Sequence, residues 1–381
     1  MSQSTTRGRQ SGCLVTAKPR FLAMVFAGLL FVLVAPAAPA HGDAVRDAEW
    51  HLAFLDLARV YQISQGDGVT VGLIDSGING NHPDLAGNVL PGMGLLPGHA
   101  DNGWEDLDAH GTAMAGLIAA HGHAGGGGVL GIAPKAKIFP ILTISGRDHG
   151  TPELDAAAIN AAVQQGARVI SMSIGRSESS ALREAVTRAQ RADVVIVAAV
   201  GNRPDENDVT FPARYDGVVA VAAVDRNGNH ADFSVAGRQV LIAAPGLDIK
   251  SSDTGNGYGT GSGTSDATAI TAGVVALIRA KFPTLPAAEV IHRLTATATD
   301  KGPKGRDDEY GYGIVNPYGA LTADVPPLAA SPSPSATPTQ ASSKQAPASG
   351  SRAGPVIAAA LGTAAVLVTI LIVVTRRRAT T

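Results

Sequence analysis

Val69-Thr70-Val71-Gly72-Leu73-Ile74-Asp75-Ser76-Gly77 is a short apolar run that ends on a carboxylate and a turn. It carries no polar face, so it reads as a buried strand. Similar runs occur at 136–144, 168–174, 193–200, 217–224 and 239–244. Helical patterns separate several of them. Thr151-Pro152-Glu153 reads as an N-cap, a proline at the first helical position and a first-turn acid. Leu154, Ala158, Ile159, Ala162 and Val163 then mark one face, with Gly166 placed to end the helix. Ala181, Leu182, Ala185, Val186 and Ala189 mark a second helix. Ile270, Val274, Leu277 and Ile278 mark a third, stopped near Pro283. Strands alternating with helices predict an α/β fold, a mostly parallel β-sheet with helices on both faces. Ligands of such sheets sit at the carboxyl ends of the strands, where Asp75 and Gly201-Asn202 fall.

The 381 residues carry 30 Lys+Arg against 32 Asp+Glu, and the near-balance hides an asymmetry. Arg7, Arg9, Lys18 and Arg20 lie in the first twenty residues, and Arg376, Arg377 and Arg378 near the end. Residues 41–355 therefore hold 23 bases against 32 acids, a net of −9, which argues against nucleic acid as a partner. Cys13 is the one cysteine, so no intrachain disulfide and no thiolate metal cluster is available.

Both ends read as segments outside the folded domain. Residues 1–40 have the pattern of a secretory signal peptide. A basic stretch precedes the apolar run Phe21–Ala35, and Ala38-Pro39-Ala40 supplies a cleavage site. The competing reading is an uncleaved signal anchor. Residues 323–355 are rich in Pro, Ser and Ala and predict an extended linker. Residues 356–374 are uncharged and long enough to cross a hydrocarbon core of about 30 Å. The arginines that follow place residues 375–381 on the cytoplasmic side. Residues 41–322 are then one extracytoplasmic domain tethered to a cell membrane.

Within that domain three motifs occur in the order Asp, His, Ser. Val71-Gly72-Leu73-Ile74-Asp75-Ser76-Gly77 ends a strand on a carboxylate. Asp108-Ala109-His110-Gly111-Thr112-Ala113-Met114-Ala115-Gly116 opens a small-residue helix on a histidine. Gly261-Ser262-Gly263-Thr264-Ser265-Asp266-Ala267 enters a helix from a glycine-rich turn on a serine. Each alone has an ordinary structural explanation as a cap, a surface histidine or a flexible turn. The three together, each at the end of an element, point to nucleophilic catalysis.

These motifs resemble those of the subtilisin-like serine proteases (subtilases) over about residues 45–320. His82-Pro83-Asp84-Leu85, Gly131-Ile132-Ala133-Pro134, Ser171-Met172-Ser173-Ile174-Gly175, Ala199-Val200-Gly201-Asn202 and Tyr310-Gly311-Tyr312-Gly313-Ile314-Val315-Asn316 add to the match. Glu49-Trp50-His51-Leu52 before the first strand, the signal peptide and the C-terminal linker with its membrane helix narrow the resemblance to mycosins, the membrane-anchored subtilases of type VII secretion. The resemblance implies a serine endopeptidase acting on proteins or peptides, in company with a type VII secretion complex. It makes Ser265 the nucleophile, His110 the general base, and Asp75 the group that fixes the histidine tautomer. The Ser265 backbone N–H and the Asn202 side chain become the oxyanion donors, one such donor being worth about 3 kcal/mol. It also implies that Ser173, Ile174 and Gly175 pair with substrate backbone, with residues near Gly146–Gly150 as the opposite wall. No cofactor is required. Relatives often bind calcium, but no acidic loop is specific enough to assign a site, and no metal ligands are assigned.

The chain departs from the family pattern at Asp266 and Ala269, where a bulky apolar residue and a proline are usual. A first-turn acid suits a helix dipole, which predicts that Asp266 faces solvent. Only about 25 residues separate Ala40 from Val69, too few for a folded prodomain, so residues 41–65 are expected as an extended surface arm. His121-Gly122-His123 beside Gly125–Gly128 reads as a mobile glycine loop with incidental histidines, and Asp307-Asp308-Glu309 as a solvated turn. Two other functions compete: a weakly active scaffold of a secretion complex, and an acid-active Ser-Glu-Asp peptidase. The Asp75/His110/Ser265 set favours catalysis over the first, and His110, a base suited to neutral pH, disfavours the second.

Overall fold

β1 (Thr70–Asp75) is the strand expected from the opening run, and it lies inside a seven-stranded parallel sheet. The computed structural model describes residues 44–123, 126–146 and 149–328. The expected signal peptide, membrane helix and cytoplasmic tail, and the linker beyond Leu328, lie outside the described residues. Among the described residues no helix is long and apolar enough to cross a membrane.

The elements follow in chain order. Three short helices, α1 (Ala44–Asp47), α2 (Trp50–Phe54) and α3 (Leu57–Val60), precede β1. β2 (Met93–Gly94), α4 (His110–Ala119), β3 (His121–His123), β4 (Gly127–Leu130) and β5 (Lys137–Leu142) come next. α5 (Pro152–Gln164), β6 (Val169–Met172), α6 (Ser180–Arg191), β7 (Val195–Ala199) and β8 (Val219–Val224) continue the alternation. β9 (Ile242–Pro245), β10 (Ile249–Ser252), β11 (Tyr258–Gly261), α7 (Thr264–Lys281), α8 (Ala287–Ala296) and α9 (Pro317–Thr322) complete it. The sheet order is β2-β5-β1-β6-β7-β8-β9, and β10 and β11 form a separate antiparallel pair.

β1 shows why the fold buries both sheet faces. Val71 and Leu73 enter one core with α4 and α7, while Ile74 enters the other with α5 and α6. Alternate side chains of a strand point to opposite faces, so a strand buried twice must be apolar throughout. Gly72 lets α5 approach: a Cβ there would stand 2.8 Å from the Ala162 Cβ. α7 is buried on nearly every side, matching its small and aliphatic composition. Burying each of its larger aliphatic side chains contributes about 1.5–3 kcal/mol. The Thr151 hydroxyl accepts from the Leu154 N–H at 3.2 Å, the cap that starts α5.

Three expectations are corrected. Residues 44–60 are not an extended arm but short helices fastened to the domain. Arg46 donates to the Gly128 carbonyl at 3.0 Å, both Glu49 oxygens accept from the Leu130 N–H, and Leu57 and Val60 are buried. His121 and His123 belong to a β3–β4 hairpin, and His123 Nδ1 lies 2.6 Å from the buried Asp84 carboxylate. Neither histidine is incidental: His121 also bonds the Ala86 carbonyl at 2.9 Å. Residues 323–328, expected as the start of the extended linker, are tied back to α8. The Leu328 N–H donates to Glu289 at 2.8 Å, and His292 meets the Pro326 carbonyl.

Candidate active site

Asp75 is the last residue of β1, at the carboxyl edge of the sheet, and is 1% exposed. Its Oδ1 accepts from the Ser76 N–H at 2.8 Å and from His110 Nδ1 at 2.7 Å. His110 is the first residue of α4 and half-buried. The β1 turn and α4 meet through tight backbone: a Cβ on Gly111 would stand 1.9 Å from the Gly77 carbonyl, so only glycine fits.

Asp106 holds this junction, and the sequence reading missed it. Its Oδ1 accepts from Ser76 Oγ at 2.8 Å and from the Ala109 N–H at 3.0 Å, while Oδ2 accepts from the Thr112 N–H and hydroxyl. Ser76 Oγ in turn accepts from the Gly111 N–H at 2.9 Å. Asp108 accepts from the His110 N–H at 3.1 Å. The start of α4 is thus capped from outside the helix, which satisfies its first N–H groups and fixes the histidine backbone. The signal was available, since Asp106 and Asp108 are short acids immediately before a helix.

Ser265 lies in the first turn of α7, where N–H groups have no partner within the helix. The hydroxyl of Ser173 donates to the Ser265 carbonyl at 3.2 Å. Asn202 follows β7. Its Oδ1 accepts from the Thr264 N–H at 2.9 Å, and its own N–H donates to Glu206 at 3.0 Å. With Oδ1 committed, the Asn202 Nδ2 donor is turned toward the start of α7, beside Gly263. His110, Asn202 and Ser265 line one cavity of about 490 Å³. Among the described residues no hydrogen bond joins His110 to Ser265. Such contacts often tighten only when substrate is bound.

Ser173, Ile174 and Gly175 follow β6 directly. Ser173 and Ile174 are buried and Gly175 is exposed, and none of the three lines the cavity shared by His110 and Ser265. A Cβ on Gly146 would touch Asp108 at 3.5 Å.

The expectation that Asp266 faces solvent is overturned. Asp266 is 4% exposed and lines the same cavity as His110 and Ser265. Burial pushes its carboxyl up to about 7, against the pull of the His110 charge. Desolvation draws the His110 pKa down, but the carboxylates of Asp75, Asp266 and Asp108 outweigh it and hold the imidazole up at about 9. Among the described residues no group of three or more His, Cys, Asp or Glu is arranged to hold a metal ion.

Residues 66–313 match the sequence profile of the peptidase S8, or subtilase, family. The chain is 40% identical over 256 residues to Subtilisin DY of Bacillus licheniformis, an alignment spanning 66% of this chain and 90% of that protein. The crystal structure of MycP1 from Mycobacterium smegmatis superposes with a TM-score of 0.64 at 28% identity, over 73% of this chain and 85% of the other. MycP1 from the ESX-1 type VII secretion system gives 0.68 at 27% identity, over 76% and 89%.

Proposed function

The chain belongs to the subtilase family of serine endopeptidases, and from that premise we propose that Asp75, His110 and Ser265 are its catalytic triad, in a domain tethered outside the cell membrane and working with a type VII secretion complex. The observation that carries the triad is the 2.7 Å bond from His110 Nδ1 to the buried Asp75 carboxylate, with His110 and Ser265 lining one cavity. With Nδ1–H held by Asp75, the other ring nitrogen, Nε2, is left as the base.

The steps follow from that tautomer. His110 Nε2 takes the Ser265 hydroxyl proton as Oγ bonds to the scissile carbonyl carbon. The carbonyl oxygen becomes an oxyanion, met by the Ser265 N–H and the Asn202 Nδ2 donor. The tetrahedral centre collapses, the C–N bond breaks, and His110 gives its proton to the leaving nitrogen. Water, deprotonated by the same imidazole, then cleaves the ester and returns Ser265. Asp75 stays ionised throughout and stabilises the imidazolium.

The pH dependence has a definite sign. Only neutral His110 accepts the serine proton, and its pKa is raised by Asp75, Asp266 and Asp108 in spite of burial. The acid limb of kcat/KM should therefore lie above the ordinary histidine range of about 6.5, with activity lost as pH falls through it. A pH–rate profile checks this. An optimum near pH 4 would support the acid-active reading instead.

The tether rests on residues 356–374 and the arginines after them, and the secretion role on the likeness to MycP1 from a type VII secretion system. In intact cells, added protease should cut between about residues 329 and 355 and release a soluble active domain, because that Pro/Ser stretch offers little to bury. Cutting seen only after lysis would reverse the orientation. Co-purification of the full chain with the membrane components of a secretion complex tests the partner.

A further inference from the structure

The cavity beside the triad lies on one side of the scissile bond, and its position identifies the side. His110 hands its proton to the leaving nitrogen, so the leaving residue must pass along the His110 face. The cavity is walled by that face of α4, with Ala113 and Met114, and by the β10–β11 hairpin. The segment Ser173–Gly175, the proposed wall for the acyl half of the substrate, takes no part in it.

We propose that this cavity receives the side chain of the residue immediately after the scissile bond and selects lysine or arginine there, with Asp266 as the specificity-determining group. The inference deepens the peptidase reading and rests on it.

Three observations carry it. Asp266 is 4% exposed, lines the cavity, and accepts no hydrogen bond from another residue among the described residues. Its own backbone N–H is its donor and the His110 charge its cation; once His110 is neutral, a desolvated carboxylate with so little support is costly, and an incoming ammonium or guanidinium supplies the missing charge. Room beside it is built in: a Cβ on Gly261 would stand 3.2 Å from Asp266 Oδ1, and one on Gly263 would stand 3.5 Å from Oδ2. The remaining charges have the same sign. Asp108 and Asp253 also line the cavity, and among the described residues no Lys or Arg does. Among the described residues His110 is the one cationic group that reaches Asp266, and it must be neutral for the enzyme to act. A volume of about 490 Å³ admits a long side chain, whose methylene stem would pack on Ala113 and Met114.

The test uses the full-length protein in detergent and internally quenched peptides identical except for Lys, Arg, Ala, Leu or Glu after the cleaved bond. Assays run at about pH 9.5, above the ranges in which Asp266 and His110 take up protons and below that of a free lysine, and mass spectrometry fixes the cut. Wild type should prefer Lys and Arg over Leu by about tenfold in kcat/KM, with Glu poorest, the size expected of a charge pair in a partly closed site. In Asp266→Asn the ratio of Lys to Leu should fall to within about threefold, the ratio being read rather than the absolute rate. Lysinamide should also inhibit wild type better than norleucinamide, and this comparison stands even where the variant fails to fold. A wild type that cleaves all five alike, or a variant that keeps the full basic preference, overturns the proposal while leaving the peptidase reading in place. Cleavage of none, with no fluorophosphonate adduct, sinks the peptidase reading and this proposal together.

Discussion

Ser265→Ala lowers kcat for peptide hydrolysis by about a million-fold, the size expected when the nucleophile of a working triad is removed. The substitution deletes one oxygen at a half-buried position in the first turn of α7 and leaves the helix backbone in place. The hydroxyl of Ser265 supports no hydrogen bond elsewhere among the described residues, and the bond from Ser173 goes to its carbonyl, which alanine keeps. Thermal unfolding should therefore match wild type within a few degrees. Residual hydrolysis would come from the Asn202 donor and from substrate binding alone. Peptidase activity within tenfold of wild type would remove Ser265 from the mechanism.

Asp75→Asn is the second large effect, with a loss in kcat of about ten-thousand-fold near neutral pH. The cause is a tautomer rather than a lost contact. Asp75 Oδ1 can only accept, so His110 must present Nδ1–H to it, which leaves Nε2 free as the base. Asparagine can turn an N–H toward Nδ1 and hold the proton on Nε2, where it cannot accept from Ser265. The variant should also lose the upward push on His110. In wild type the folded imidazole titrates above its unfolded range. The Asp75–His110 pair therefore contributes stability that is full below about pH 6.5 and lost as pH rises toward about 9. The stability difference between wild type and Asp75→Asn should shrink over that window. Chemical denaturation at several pH values, alongside kcat, reads both effects. Unchanged kcat would show that Asp75 does not set the tautomer.

How far the chain could be read without coordinates depended on the kind of signal. β1 was legible because a strand buried on both faces must be apolar throughout, and Val71, Gly72, Leu73 and Ile74 are. α5 was legible from Thr151 and Pro152, whose cap and fixed backbone angle act locally. Asp75, His110 and Ser265 were legible as three motifs at element ends, and the structure brings all three to the carboxyl edge of the sheet, with Asp75 on His110 and with His110 and Ser265 on one cavity. What failed depended on tertiary partners. Residues 44–60 lack a continuous apolar pattern, and their docking depends on Gly128 and Leu130, some eighty positions away. The pairing of His123 with Asp84 joins two motifs that look unrelated in sequence. Asp266 was misjudged because a first-turn acid has a sufficient local reason to be there. Nothing local reveals that the hairpin of β10 and β11 closes over that position. Ser173 and Ile174 were expected at the substrate edge by resemblance alone, and their burial was not legible from the local sequence.

The central claim is that Ser265 is a nucleophile activated by His110. Its most direct measurement is to react the full-length protein with a fluorophosphonate at about pH 8.5 and map the adduct by peptide mass spectrometry. The account predicts one stoichiometric adduct on Ser265, absent from Ser265→Ala. An adduct on a different residue, or an intact Ser265 in folded protein after prolonged reaction, would contradict it.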